Sequence, residues 1–101
     1  MLLYNTTYHV DASEEEHFLI WINEAVLPEV IAEGHLKNPR LLRVLSHKEP
    51  DSACFSLQWE VESSSVLHQW HLSMGMKLNE QIVAIFKDKV IGIPTLMEIL
   101  R

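Results

Sequence analysis

The sequence predicts an α+β fold of order β-α-β-β-α-β, with a four-stranded antiparallel sheet and two helices on one of its faces. Three observations predict it. Runs with two-residue alternation occur at residues 2–10, 41–47 and 53–62 and again from 90 onward. Two long runs with helical spacing, 13–33 and 66–86, separate them. The two middle strands are joined by the polar stretch Lys48-Glu49-Pro50-Asp51-Ser52, which suits a hairpin loop. Right-handed crossovers then put both helices on the same side, the split β-α-β or ferredoxin-like arrangement.

The first strand has two unlike faces. Leu3, Asn5, Thr7 and His9 point one way, and Leu2, Tyr4, Thr6, Tyr8 and Val10 the other. Neither face is wholly polar, so both are expected to meet protein. Ser13-Glu14-Glu15-Glu16 reads as a capping box, with Ser13 at the N-cap and Glu16 three residues on. The helix is expected to reach Glu33, with Gly34 as its left-handed terminator and Pro28 as a kink. Its apolar residues form two stripes. Phe18, Ile22, Ala25 and Val26 share one face, while Ile20, Leu27 and Ile31 lie nearly opposite. Either the Pro28 kink reconciles the stripes or the second one meets a partner.

Asn38-Pro39-Arg40 reads as a turn, followed by a strand from Leu41 to His47. Ala53 to Glu62 is the clearest strand, with Phe55, Leu57, Trp59 and Val61 inward and Cys54, Ser56, Gln58 and Glu60 outward. Ser63, Ser64 and Ser65 are N-cap candidates for the second helix. Its inner stripe is Leu67, Trp70, Met74, Leu78, Gln81, Ile82 and Ile85, and Leu72, Met76 and Val83 form an outer apolar row. Val90, Ile91 and Ile93 open the last strand, where Gly92 and Pro94 imply a bulge or an edge. Residues 96–100 fit a continued strand or a short helix.

A chain of 101 residues with 48% hydrophobic content implies one domain, 1–101, with a modest core. A net charge of −6 argues against nucleic acid or an anionic membrane as the partner. Cys54 is the only cysteine, which excludes an intrachain disulfide and a multi-thiolate zinc site. The N-terminal residues do not read as a signal peptide, and no apolar run approaches the ~20 residues of a membrane span. The expected setting is the cytoplasm.

With both helices on one face, the other sheet face is uncovered, and it is expected to carry members of sets such as Tyr4, Thr6 and Tyr8. A partly apolar open face implies packing against a second sheet, which a two-fold homodimer supplies.

The strand LLYNTTYHV, the helix end LPEVIAEG, the segment NPRLLRVL and the strand FSLQWEVES before a Trp-containing helix resemble a small bacterial family. That family is known only as a domain of unknown function, within the dimeric α+β-barrel superfamily. The resemblance spans nearly the whole chain and implies a dimeric α+β barrel without an established activity. Some members of that superfamily are monooxygenases, haem-degrading or cofactor-free, that use an Asn on the first strand with a Trp and a His near the second helix. Asn5 and Trp70 resemble two of those parts. The haem-binding His of that plan lies well down the helix from the Trp, and no histidine stands near Glu80, so axial ligation is not carried over.

Six histidines invite a metal reading. His68 and His71 share a three-residue spacing, but His68 lies toward solvent and no further ligand recurs beside them. His17, His35 and His47 fall at a helix start or in turns. Cys54 has no neighbouring cation in sequence to activate it. No metal and no cofactor are therefore expected. The leading expectation is a homodimeric module that binds a small apolar or aromatic ligand, or a protein partner. Its pocket would lie between sheet and helices near Asn5, Thr7, Trp59, Trp70, His71 and Met74. A small cofactor-free or haem-related monooxygenase is the alternative. A structural subunit docking through Leu72, Met76 and Val83 is the third reading.

Overall fold

The computed structural model describes residues 1–101. Strand β1 (Leu2–Asp11) leads through a 3₁₀ turn into helix α1, residues 15–33. Strands β2 (Lys37–Arg43) and β3 (Ser52–Val61) form a hairpin. Helix α2 covers residues 64–86, and β4 (Val90–Glu98) closes the chain. The sheet order is β2-β3-β1-β4 with every pair antiparallel, as the β-α-β-β-α-β reading requires.

The core is one cluster between the sheet and the helices. Val10, Phe55, Leu57, Trp59 and Val61 enter it from the strands, Phe18, Ile22, Val26 and Val30 from α1, and Trp70, Leu78, Ile82 and Phe86 from α2. Phe18 sits at its centre, with its ring against those of Tyr8, Trp21, Phe55 and Phe86. Arg43 closes one end, its guanidinium 4.8 Å from the Phe55 ring centre and 2.6 Å from Glu15 Oε1.

Both helices contain a widened, π-helical turn that periodicity did not reveal. In α1 it is Ile22–Val26, where the Leu27 N–H reaches back five residues to the Ile22 carbonyl. Pro28 follows and has no N–H to give, which frees the carbonyl one turn before it. In α2 it is His71–Gly75, with the Met76 N–H bonded to the His71 carbonyl. Each wide turn inserts about one residue of phase, so the buried stripe steps sideways along the helix. In α2 the stripe therefore continues through Leu78, Ile82 and Phe86, and the expected inner residue Ile85 is exposed. In α1 the stripe runs through Phe18, Ile22, Val26 and Val30, while Ile20 and Ile31 of the second stripe remain exposed.

The helix ends differ in how well they were legible. Gly34 ends α1 at φ 94°, its N–H bonded to Val30 O, and Ser63 Oγ accepts the Val66 N–H at the start of α2. The capping box at Ser13 does not form. Asp11 caps instead, accepting from the Ser13 N–H at 2.9 Å and the Ser13 hydroxyl at 2.6 Å. These bonds, the hydroxyl's first, hold the Asp11 carboxyl below its ordinary range.

The expectations for β2 and for the two faces of β1 are corrected, while β4 takes one of the alternatives left open for it. Asn38-Pro39 is not a turn but an irregularity inside β2, with Asn38 at φ 54° and the register to β3 shifting between Lys37 and Arg40. Pairing of Lys37 with Glu60 draws the strand start forward, and β2 ends at Arg43 rather than His47. Residues 96–98 continue β4 as an edge strand, with Gly92 in regular register opposite Tyr8. There a Cβ would lie 3.0 Å from the Tyr8 ring, so glycine makes room for the phenol. Lastly, Tyr4, Thr6 and Tyr8 face the helices, and Leu3, Asn5, Thr7 and His9 occupy the open face. The face that carries Val10 is the one the core claims, because the Val10 side chain is wholly buried.

Candidate functional site

The expected site residues divide across the sheet. Trp59, Trp70 and His71 come together on the helix side, where they line a small pit of about 40 Å³ with Tyr4, Trp21 and Gly75. That volume holds roughly one to three waters. Met74 packs against the core nearby without lining the pit. Asn5 and Thr7 do not join them, because their side chains leave the opposite face of β1. Asn5 and Trp70 therefore share no pocket. Strand alternation already put Asn5 and Tyr4 on different faces, and that was the signal that separates the two groups.

The pit adjoins a wider cleft. Tyr4, Trp70, His71 and Asn79 line both, and Leu67, His68, Ser64 and Pro94 complete the cleft, which measures about 340 Å³. It runs between α2 and the exposed edge formed by β1 and β4. Volumes of this size are those that small ligands fill. Tyr4 meets the Trp70 ring edge-on, with centroids 5.9 Å apart. The Trp70 indole Nε1 is buried and has no hydrogen-bond partner. A buried donor without an acceptor costs about 1–3 kcal/mol, and such groups are uncommon in folded proteins.

The wide turn of α2 shapes this site. Gly75 is buried there, and a Cβ on it would come 2.8 Å from the Trp70 ring and 3.0 Å from His71 Nδ1. The absence of a Cβ at Gly75 lets the Trp70 ring approach the helix this closely. Gly75→Ala is expected to lower stability by about 1–3 kcal/mol through overpacking, although alanine favours a helix by ~1 kcal/mol. Urea unfolding checks this. An unchanged or raised midpoint would show that the ring has room to move.

On the open face, a polar ladder crosses the sheet centre. Gln58 Nε2 donates to Ser56 Oγ at 3.3 Å, Ser56 donates to Asn5 Oδ1, and Asn5 Nδ2 donates to Thr7 Oγ1 at 3.1 Å. Asn5 is buried by these neighbours within a single chain. Around the ladder lie Leu3, Leu42 and the exposed Ile91, Ile93 and Met97. Cys54 is buried beside His9 on this face, and burial pushes its thiol upward, the reverse of an activated nucleophile.

A family model for a domain of unknown function, DUF4286, matches residues 1–100. The chain belongs to the DUF4286 family. Comparison with curated protein sequences finds no match. Solved structures similar to this DUF4286 chain share its fold. One is a Deinococcus radiodurans protein described as a candidate antibiotic biosynthesis monooxygenase, with TM-score 0.75 and 13% identity, covering 100% of this chain and 94% of that one. Another is an ethyl tert-butyl ether (ethd) family protein of Bacillus halodurans, with TM-score 0.69 and 12% identity, covering 99% and 100%. A third is a dimeric ferredoxin-like protein from an uncultured marine organism, with TM-score 0.59 and 15% identity, covering 100% of each chain. At these identities the likeness establishes the ferredoxin-like fold of the DUF4286 chain and leaves activity to be argued from its residues. No helix is long and apolar enough to cross a membrane.

Proposed function

We propose that this DUF4286 protein is a homodimeric α+β-barrel module that binds a small apolar or aromatic ligand in the cleft between α2 and the β1–β4 edge. The observation that carries the reading is the cleft walled by Tyr4, Trp70 and His71, together with a Trp70 Nε1 that finds no acceptor within the chain. The ligand it fits has a flat apolar body and one hydrogen-bond acceptor. The body packs on Tyr4 and Trp70, and the acceptor satisfies the indole N–H. Homodimerisation is supported by the apolar rim of the open sheet face and by the dimeric ferredoxin-like neighbour. A cytoplasmic setting belongs to the same reading and suits the free thiol of Cys54.

The test is native mass spectrometry with a thermal-shift panel of aromatic acids, amides and ketones. A dimer at twice 11.7 kDa that gains the mass of a stabilising compound is the expected result. Trp70→Phe keeps an aromatic side chain but loses the fused pyrrole with its N–H, so the affinity for that compound should fall at least about tenfold, the worth of ~1.4 kcal/mol. A panel without a single stabilising compound, or equal affinity in Trp70→Phe, would refute the reading.

A cofactor-free monooxygenase is the second reading. It is favoured by His71, an imidazole that lines both pit and cleft and is suited to moving a proton. Asn5 lies across the sheet and takes no part in that cleft. The pit has room for a few waters and none for a macrocycle, so the residues present do not fit haem there. The same panel distinguishes the readings: a bound compound recovered oxygenated under air would mark an enzyme, and one recovered unchanged a binding module.

A further inference from the structure

The open sheet face brings three metal-binding side chains to one point. His9 on β1 stands directly opposite Cys54 on β3 in the antiparallel register. The turn after β2 then folds back over them. The Val44 N–H bonds the Cys54 carbonyl at 2.9 Å and the His47 N–H bonds the Val44 carbonyl at 3.4 Å. These contacts carry the His47 ring to 6.0 Å from the His9 ring, at 62° to it. One nitrogen of each imidazole and the Cys54 Sγ all lie within 4.8 Å of one another.

We propose that His9, His47 and Cys54 form a binding site for a thiophilic divalent cation of the Zn²⁺ class. Two imidazoles and one thiolate are the donor set such a cation prefers, whereas Ca²⁺ and Mg²⁺ take oxygen ligands. Tetrahedral bonds of about 2.0–2.3 Å separate neighbouring ligand atoms by roughly 3.3–3.8 Å. The donors need to close by about one ångström, a small rotation for the exposed His9 ring. His47 is already oriented. Its Nε2 lies 2.8 Å from Ser52 Oγ, which reaches Glu49 Oε2 at 3.5 Å. That contact leaves Nδ1 free for the metal, in the outer-shell arrangement that holds metal-bound histidines. Three protein ligands leave a fourth position for water or an added group. The buried Cys54 supplies the inner end of the site, and His9 the end that is exposed in a single chain and that a second copy packed on the open face would approach. Asp11, Glu49, Asp51 and Asp88 line the neighbouring hollow and, against the single Lys89, give it a negative field that attracts cations. On binding, the thiol proton leaves to solvent and the sulfur lone pair forms the metal bond.

The test is titration of the reduced, purified protein with Co²⁺ as a spectroscopic stand-in for Zn²⁺. One Co²⁺ per chain is expected, with a thiolate-to-cobalt charge-transfer band that Zn²⁺ abolishes by displacement. Cys54→Ser should lose the band. His9→Asn, at an exposed position that leaves the fold intact, should weaken Zn²⁺ binding at least tenfold in competition with a chromophoric chelator. His17→Asn, on the exposed start of α1 at the helix side of the sheet, should bind Zn²⁺ as the parent does. Absence of the band in the parent protein would overturn the site, and so would unchanged Zn²⁺ affinity in a folded His9→Asn variant. Circular dichroism of each variant separates loss of the site from loss of the fold.

Discussion

Phe18→Ala is expected to cost about 3–5 kcal/mol of folding stability, the range for truncating a buried aromatic side chain. Phe18 is fully buried and is the ring on which four other aromatic side chains converge. Removing it deletes the ring contacts that α1 makes through Phe18 with β1, β3 and α2 at once. The rings around it are held by separate elements and cannot all collapse into the space, so a cavity remains. A protein of this size has only about 5–15 kcal/mol in total. The melting temperature should therefore drop by more than about 12 °C, measured at fixed concentration because association adds to apparent stability. A loss under about 1 kcal/mol by urea titration would mean that Phe18 is not the hub of the core. Leu72→Ala, at an exposed position on α2, is the matching reference with little expected effect.

Ile93→Asp is expected to split the proposed dimer into single chains. Ile93 lies on the open face opposite Thr7, half exposed in one chain. If two such faces pack together, two-fold symmetry places the new carboxylate in the interface twice. An uncompensated buried charge costs roughly 3–5 kcal/mol, and each 1.4 kcal/mol is a factor of ten in the dissociation constant. Association should thus weaken by a hundredfold or more while circular dichroism stays native. Native mass spectrometry at micromolar concentration reads the outcome directly. A persisting Ile93→Asp dimer would show that the chains associate elsewhere, and the exposed Ile20 and Ile31 of α1 or Leu72, Met76 and Val83 of α2 would be the next surfaces to charge.

The two results bear on different parts of the molecule. The core reads through equilibrium unfolding, the open face through mass. The cleft beside Trp70 should survive Ile93→Asp, since it lies on the helix side of the sheet. Ligand binding retained in a monomeric variant would make the cleft a property of one chain. Binding lost with the dimer would make it a property of the pair.

The order of strands and helices was legible in the residues because alternation and helical spacing are local and each element repeats its own signal. Phe55, Leu57, Trp59 and Val61 alternate with Cys54, Ser56, Gln58 and Glu60, and all four of the first set are buried. Gly34 and Ser63 act through a few neighbouring atoms, so their roles at the helix ends were legible too. What only the tertiary structure decided depends on contacts between distant segments. The wide turns at Ile22–Val26 and His71–Gly75 shift the helical phase, which a fixed period along the sequence does not capture. Which face of β1 the helices cover was set by packing of Val10 and Tyr8, and it parted Asn5 and Thr7 from Trp59, Trp70 and His71. The meeting of His9, His47 and Cys54 is of the same kind. Those residues are separated by up to 45 positions in the chain, and only strand pairing and a folded-back turn bring them together. Local chemistry determined the elements of this protein. Long-range pairing, which no short stretch of sequence encodes, determined which residues meet at its candidate sites.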